Sequence, residues 1–232
     1  MKRTRILLMA LAAIMCVGVV SCNKDDQPSN NGENNTVTWI DLGLPSGLLW
    51  ADCNLGATKP EEYGNYYAWG ETATKQVFDW STYKYCTVDG EGIMQTLTKY
   101  NTSSEYGTPD NLTNLQDMDD AVTASLGNGA RTPTKEEWNE LISNTTVEWT
   151  TMNGVYGSKF TADNGNSIFL PATGLCDGSE PTLAGSYGGY WSSTIHDVYP
   201  YCAWYILIFS GDQQMVYYDR ARGLTLRAVR AN

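Results

Sequence analysis

The residues best suited to chemistry or recognition lie in one segment near the C-terminus, GGYWSSTIHDVYPYCAWYILIF, which runs from Gly188 to Phe209. The segment contains His196, the only histidine of the chain, and four of its fifteen tyrosines. A single imidazole cannot build a Cys/His metal site and leaves little scope for a histidine-based triad. The residue types therefore favour ligand binding over catalysis.

The stretch TIHDVYPYC, Thr194 to Cys202, has no hydrophobic period and is predicted to be a loop. Loops on a rigid scaffold commonly carry recognition, and tyrosines offer a large contact area at low entropic cost. Trp191 and Trp204 are assigned to packing. We predict a ligand-binding face made of this loop and the strands beside it. Its candidate residues are His196, Asp197, Tyr199, Tyr201, Tyr205, Tyr217, Asp219 and Arg222. The alternative is that these tyrosines cap an edge of the core.

Short strands must position this face. Ala203–Phe209 and Met215–Tyr218 flank Ser210-Gly211-Asp212, which is a hairpin signal. The clearest helix is predicted to begin after Thr134, where Thr134 and Glu137 form a capping box ahead of an apolar stripe. Strands are also predicted at VTWIDL, LLWADC, Val147–Thr151, Gly154–Thr161, Ser167–Leu170 and LTLRAV, with a helix at Asp117–Leu126. Many short strands with few helices indicate an α+β fold.

The N-terminal sequence is typical of a targeting segment. A basic start, MKRTR, precedes an apolar run from Ile6 to Val20, which predicts a signal peptide over residues 1–21. The sequence VVSC ending at Cys22 resembles the lipobox of bacterial lipoproteins, which implies a lipidated, palmitate-bearing Cys22 and a lipid anchor in the outer membrane. The alternative is a plain signal peptide with a chance cysteine.

Residues 22–36 are predicted to be a disordered tether, since nothing apolar lies between Cys22 and Val37. Lys24-Asp25-Asp26 resembles the export signal that sends lipoproteins of the Bacteroidetes type to the cell surface. An ordinary solvated charge run is the alternative. Residues 37–232 are predicted to be one domain.

The net charge of the chain argues against two kinds of partner. Fifteen basic residues against twenty-six acidic ones give a formal net charge of −11. Such a balance argues against a nucleic-acid partner and against a basic membrane-surface patch.

Four cysteines remain once Cys16 and Cys22 are set aside: Cys53, Cys86, Cys176 and Cys202. None forms a C-x-x-C pair, so no zinc or thioredoxin motif is indicated. In an exported protein disulfides can persist. We predict a Cys53–Cys86 disulfide, with Cys176 and Cys202 either paired or free, although four cysteines allow three connectivities.

A family resemblance runs through the domain in chain order. Its motifs are DLGLPSGLLWADCNLGATKPEEYGNYYAWGE, WSTYKYC, LTKYN, RTPTKEEWNEL, NGNSIFLPATG, GGYWSST and finally Arg220, Gly223 and LRAV. Together they resemble the Fibrobacter succinogenes major paralogous domain, which belongs among C-type-lectin-like and formylglycine-generating-enzyme-like folds. Two departures are LRAV, where Arg-Pro-Val is usual, and Ile208, where an aromatic is usual. The resemblance implies a C-type-lectin-like fold more firmly than a function.

Two functions of related folds are not supported by the residues. Formylglycine-generating enzymes use a copper-binding cysteine pair, but GLCDG and YPYCAWY around Cys176 and Cys202 do not resemble their motifs. Calcium-dependent lectins carry an acid-Pro-Asn or Gln-Pro-Asp tripeptide and a Trp-Asn-Asp, none of which is present. No catalytic residue, metal site or cofactor is therefore predicted.

Some proteins with this fold are diversified by retroelements that mutate adenines in Asn codons. The accessible residue types then exclude Lys, Glu, Gln, Met and Trp, and Thr194 to Cys202 obeys that limit. Most residue types obey this limit as well, so it does not by itself distinguish a diversified protein. We predict a surface lipoprotein, not an enzyme, that binds an extracellular protein or glycan. The alternatives are a structural or adhesive subunit of a surface assembly, a retroelement-diversified binder, and an enzyme of the formylglycine-generating type.

Overall fold

The computed structural model describes residues 37–232, and the predicted signal peptide, Cys22 and the tether to residue 36 lie outside the described residues. Within residues 37–232, no helix is both long and apolar enough to cross a membrane.

The described chain is α+β, with mostly antiparallel strands and few helices, as predicted. The strands are β1 (Trp39–Asp41), β2 (Leu49–Asn54), β3 (Tyr67–Ala68), β4 (Cys86–Val88), β5 (Met94–Leu97), β6 (Thr145–Met152), β7 (Val155–Ala162), β8 (Ser167–Pro171), β9 (Leu175–Asp177), β10 (Glu180–Thr182), β11 (Tyr187–Ile195), β12 (Cys202–Phe209), β13 (Asp212–Asp219), β14 (Gly223–Leu224) and β15 (Arg227–Arg230). The helices are α1 (Ala121–Leu126) and α2 (Lys135–Ser143), with 3-10 turns at Trp80–Thr82, Ser104–Tyr106 and Asp117–Asp119.

Among the described residues these strands form five sheets. Their orders are β1-β2-β15, β10-β9-β14-β3, β11-β12-β13, β4-β5 and β6-β7-β8. The predicted hairpin of β12 and β13 is confirmed, with Phe209 opposite Asp212 across Ser210 and Gly211. Gly211 has a φ of 98°, a conformation that favours glycine in such a tight turn.

The sheet β11-β12-β13 separates two hydrophobic cores. On one face, Ile206 and Ile208 pack in a cluster with Trp138 and Leu141 of α2. On the other face, Ala203 and Tyr205 join a cluster that contains Trp191. Because alternate residues of a strand point to opposite faces, β12 is buried on both sides.

Helix α2 begins as predicted. The Thr134 hydroxyl accepts a hydrogen bond from the Glu137 backbone N–H at 3.2 Å, and the Glu137 carboxylate accepts one from the Thr134 N–H at 2.8 Å. This capping box satisfies two N–H groups that the first helical turn leaves free. It also fixes Lys135, the first residue of α2, at the helix entrance.

Three indole N–H groups fix the chain around Trp191. Trp69 donates to the Ser192 carbonyl at 2.7 Å, Trp138 donates to the Trp191 carbonyl at 3.3 Å, and Trp191 donates to the Tyr67 carbonyl at 2.9 Å. The register between β11 and β12 shifts between Trp191 and Ile195, which marks an irregularity there. The predicted loop is therefore shorter than expected, because Thr194 and Ile195 belong to β11 and Cys202 to β12.

The predicted Cys53–Cys86 disulfide is wrong, because each of the four cysteines in residues 37–232 is unpaired. The Cys53 thiol donates to the Ala57 carbonyl at 3.5 Å, and the Cys86 thiol lies 3.4 Å from the Trp80 carbonyl. Each thiol thus faces its own local turn instead of the other thiol. Burial raises the pKa of Cys53 to about 11, so the thiol stays protonated at neutral pH.

Candidate ligand-binding face

Residues 196–201 form a short loop that is closed by hydrogen bonds at its base. The His196 N–H donates to the Cys202 carbonyl at 2.9 Å, and the Cys202 N–H donates to the Tyr199 carbonyl at 2.9 Å. Inside the loop, His196 Nδ1 accepts from the N–H groups of Val198 at 3.2 Å and Tyr199 at 3.1 Å. One side chain therefore caps the turn, as the side chains of Asn and Asp do elsewhere.

The imidazole of His196 lies beneath this loop, where it is 8% exposed. The Tyr199 ring stacks on it at a centroid distance of 5.2 Å and an interplanar angle of 13°. Trp204 and Tyr217 approach the same imidazole at 4.7 Å and 4.1 Å. His196 thus packs beneath the neighbouring rings and offers little surface to a ligand. This corrects the prediction that His196 contacts a ligand directly.

The rings above His196 are accessible. Tyr199 is 39% exposed and Tyr217 is 46% exposed. Tyr201 is half-buried against Tyr106, with ring centroids 5.1 Å apart, and half-buried Trp204 lies opposite Tyr217 in the ladder of β12 and β13. We call Tyr199, Tyr201, Trp204 and Tyr217, with His196 beneath them, the aromatic face.

An ion pair between Lys135 and Asp197 borders this face. Lys135 Nζ lies 3.2 Å from an Asp197 carboxylate oxygen and 3.7 Å from the centroid of the Trp204 ring. Asp197 is exposed, as expected for a ligand contact. Lys135 was not predicted because it is distant in the chain, and Trp204 was predicted to pack in the core. The start of α2 beside β11 brings Lys135 to the site.

Tyr205 does not belong to the aromatic face. It is 7% exposed and packs edge-on against Trp191 with ring centroids 5.9 Å apart. Burial raises the pKa of Tyr205 to about 12. Because Tyr205 follows Trp204 directly, it points to the opposite side of β12 and fills the core there.

Asp219 and Arg222 also take other roles. The Arg222 guanidinium pairs with Asp177 of β9 and lies 3.7 Å from Asp219. Asp219 additionally lies 3.7 Å from the Cys202 thiol. These two residues therefore form an ion-pair cluster with Asp177 beside β9, separate from the Lys135–Asp197 pair that borders the aromatic face.

The environment of His196 predicts a loss of stability in acid. Burial, with a further effect of Lys135, holds its pKa below 6.5, while Asp197 acts in the opposite direction. Because the unfolded chain binds the proton more tightly, the stabilisation from neutral His196 is fully present above pH 6.5 and is lost as the pH falls through the folded pKa. Protonation also places a hydrogen on Nδ1, where two backbone N–H groups donate.

We therefore expect chemical denaturation of the wild type to show lower stability at about pH 5 than at about pH 8, beyond the change in a His196→Asn variant. Asparagine keeps an oxygen acceptor for the turn and does not titrate in this range. Equal pH dependence in the two proteins would contradict a role for His196.

Within residues 37–232, no group of three His, Cys, Asp or Glu side chains is arranged to hold a metal ion. In comparisons with known proteins, no family model, no curated protein and no solved structure matches the chain. The function must therefore be argued from the aromatic face itself.

Proposed function

We propose that the protein is a surface-anchored lipoprotein that binds an extracellular protein or glycan through the aromatic face. The observation that carries this proposal is the exposure of Tyr199 and Tyr217 above a locked turn, with Tyr201 and Trp204 beside them. Exposed tyrosines with fixed ring positions bind with a small entropic loss, since little rotamer freedom remains to be lost.

The aromatic face combines apolar and polar contact groups. Its rings offer flat apolar surface, the tyrosine hydroxyls offer hydrogen bonds, and Lys135 and Asp197 supply one charge of each sign at its border. Binding hot spots in proteins are enriched in Trp, Tyr and Arg, with polar groups around them. The composition of this face agrees with that pattern.

The anchor and the finer fold assignment belong to the same proposal. The anchor rests on VVSC at Cys22 and the charged stretch after it. The C-type-lectin-like assignment rests on the ordered motifs from DLGLPSGLLW to LRAV, and an α+β domain of mostly antiparallel strands is compatible with it.

The raised pKa values of the buried thiols favour a binding function over catalysis. Burial raises the pKa of Cys176 to about 11 and that of Cys202 to about 12. A reactive cysteine is instead a thiolate with a lowered pKa. The imidazole of His196 is likewise committed to two backbone N–H groups. These features support a binding protein rather than an enzyme.

The test is binding of the purified full chain to an array of glycans and extracellular proteins. For a ligand found in this way, Tyr199→Ala and Tyr217→Ala should each weaken binding by about 5- to 30-fold, the range expected of a central contact. The matched control is Tyr156→Ala, which removes another exposed tyrosine, from strand β7. Loss of binding in Tyr156→Ala, with full binding in the other two variants, would contradict the proposal.

A further inference from the structure

A second concave site lies on a different part of the domain. A cleft of about 390 Å³ opens between the β9–β10 hairpin and the chain around Phe78. We call it the hairpin cleft. Its buried or half-buried lining residues are Tyr66, Lys75, Phe78 and Cys176, while Gln76, Ser179 and Glu180 are exposed at its rim. Its volume falls within the range of small-molecule sites. None of these residues belongs to the aromatic face.

The walls of the hairpin cleft are held in place. The Phe78 N–H donates to the Gly178 carbonyl at 2.8 Å, and the Gly178 N–H donates back to the Phe78 carbonyl at 3.1 Å. The Tyr66 hydroxyl donates to the Thr173 carbonyl. A Cβ atom at Gly223 would lie 2.8 Å from the Phe78 ring, so this ring is seated directly on strand β14. The cleft is therefore formed before any ligand arrives.

Charge in the hairpin cleft disfavours anionic ligands, and it disfavours cationic groups at the Phe78 ring. Lys75 is already paired with Glu71 at 3.0 Å, and its ammonium lies 5.8 Å from the centroid of the Phe78 ring. Among the described residues that line the cleft, Glu180 is the one charged side chain without an ion pair. An unpaired carboxylate repels anions, and an ammonium over Phe78 repels a second cation at that ring.

We propose that the hairpin cleft binds a neutral saccharide of one or two pyranose rings. The C–H groups on one side of a pyranose suit the aromatic surface of Tyr66, and its hydroxyls suit the Gln76 amide, the Ser179 hydroxyl and the Glu180 carboxylate. Each of these rim groups can accept a hydrogen bond, and two of the three can also donate. An apolar floor with a few polar groups at the rim is the usual composition of a small-ligand site.

The test is saturation-transfer NMR on the full chain with methyl glycosides of glucose, galactose, mannose and N-acetylglucosamine, and with maltose and cellobiose. Signal transfer to at least one of these sugars is expected. Gln76→Ala should weaken its binding about 2- to 10-fold, since the side chain is exposed and its loss removes one hydrogen bond. Tyr66→Leu should remove the signal, whereas Tyr66→Phe keeps the ring and should retain it.

Two comparisons separate this proposal from that for the aromatic face. Tyr199→Ala should leave saccharide binding in the hairpin cleft unchanged, and Gln76→Ala should leave ligand binding at the aromatic face unchanged. If Tyr199→Ala abolishes sugar binding and Tyr66→Leu does not, the sugar binds at the aromatic face and the cleft proposal is overturned. Absence of a signal from every sugar would also overturn the cleft proposal, but it would not contradict the proposal for the aromatic face.

Discussion

Replacing Trp191 with alanine should lower the free energy of unfolding by about 3–5 kcal/mol, as truncation of a buried tryptophan does elsewhere. The side chain is almost fully buried and packs against Tyr205. Its indole N–H donates to the Tyr67 carbonyl at 2.9 Å, so alanine leaves a cavity and also removes a hydrogen bond from strand β3. Urea denaturation of the full chain would measure the change.

The control is Tyr156→Ala, in which the lost ring is 53% exposed. That variant should stay within about 0.5–1 kcal/mol of the wild type, because surface substitutions rarely cost more. The contrast matters for the aromatic face as well, because Tyr199→Ala should be closer to Tyr156→Ala than to Trp191→Ala. A loss in Tyr199→Ala as large as in Trp191→Ala would mean that the tyrosines are part of the core.

Local signals in the sequence predicted local structure well. The capping box of Thr134 and Glu137 placed the start of α2, and Ser210-Gly211-Asp212 placed the hairpin of β12 and β13. Both signals act within a few residues, so their physics does not depend on the rest of the fold. The α+β class followed from the same kind of evidence.

From the sequence, Trp204 was predicted to pack in the core and Tyr205 to lie on the binding face, whereas the structure places them the other way round. The reason is that β12 is buried on both faces. In a half-buried strand, polar residues mark the solvent side and fix the alternation. Strand β12 reads CAWYILIF without a charged residue, so nothing in it shows which face meets solvent. The deciding factor is α2, which covers Ile206 and Ile208 and leaves Trp204 at the open end of that face.

Long-range partners could not be predicted from one sequence. Lys135 meets Asp197 and Trp204 across more than sixty positions of the chain, and the cysteines face separate turns. Such contacts depend on how the sheets and α2 pack together, which no local pattern records. The predicted loop still contained Asp197, Tyr199 and Tyr201, because aperiodic tyrosine-rich sequence between two strands is itself a local signal.

Arg227 joins three strands from inside the protein. It is fully buried on β15, and its guanidinium donates to the Asn54 side-chain oxygen at 3.0 Å, the Ala51 carbonyl at 2.9 Å and the Phe169 carbonyl at 2.8 Å. Asn54 and Ala51 belong to β2, and Phe169 belongs to β8. Among the described residues no carboxylate forms an ion pair with it, so these oxygen atoms are its hydrogen-bond partners.

Arg227→Met should therefore lower the free energy of unfolding by about 3–5 kcal/mol, measured by urea denaturation. Methionine fills much of the space but removes the guanidinium donor from three buried oxygen atoms, and a buried acceptor left unpaired costs about 1–3 kcal/mol before the structure relaxes. Replacing an entire buried ion pair with apolar residues can be neutral, but here the acceptors stay behind.

The matched control is Arg230→Met on the same strand. There the guanidinium lies 4.5 Å from the Trp39 ring in a half-buried position, and its loss should cost about 1 kcal/mol or less. Equal stabilities of the two variants would show that the buried guanidinium contributes nothing beyond its volume.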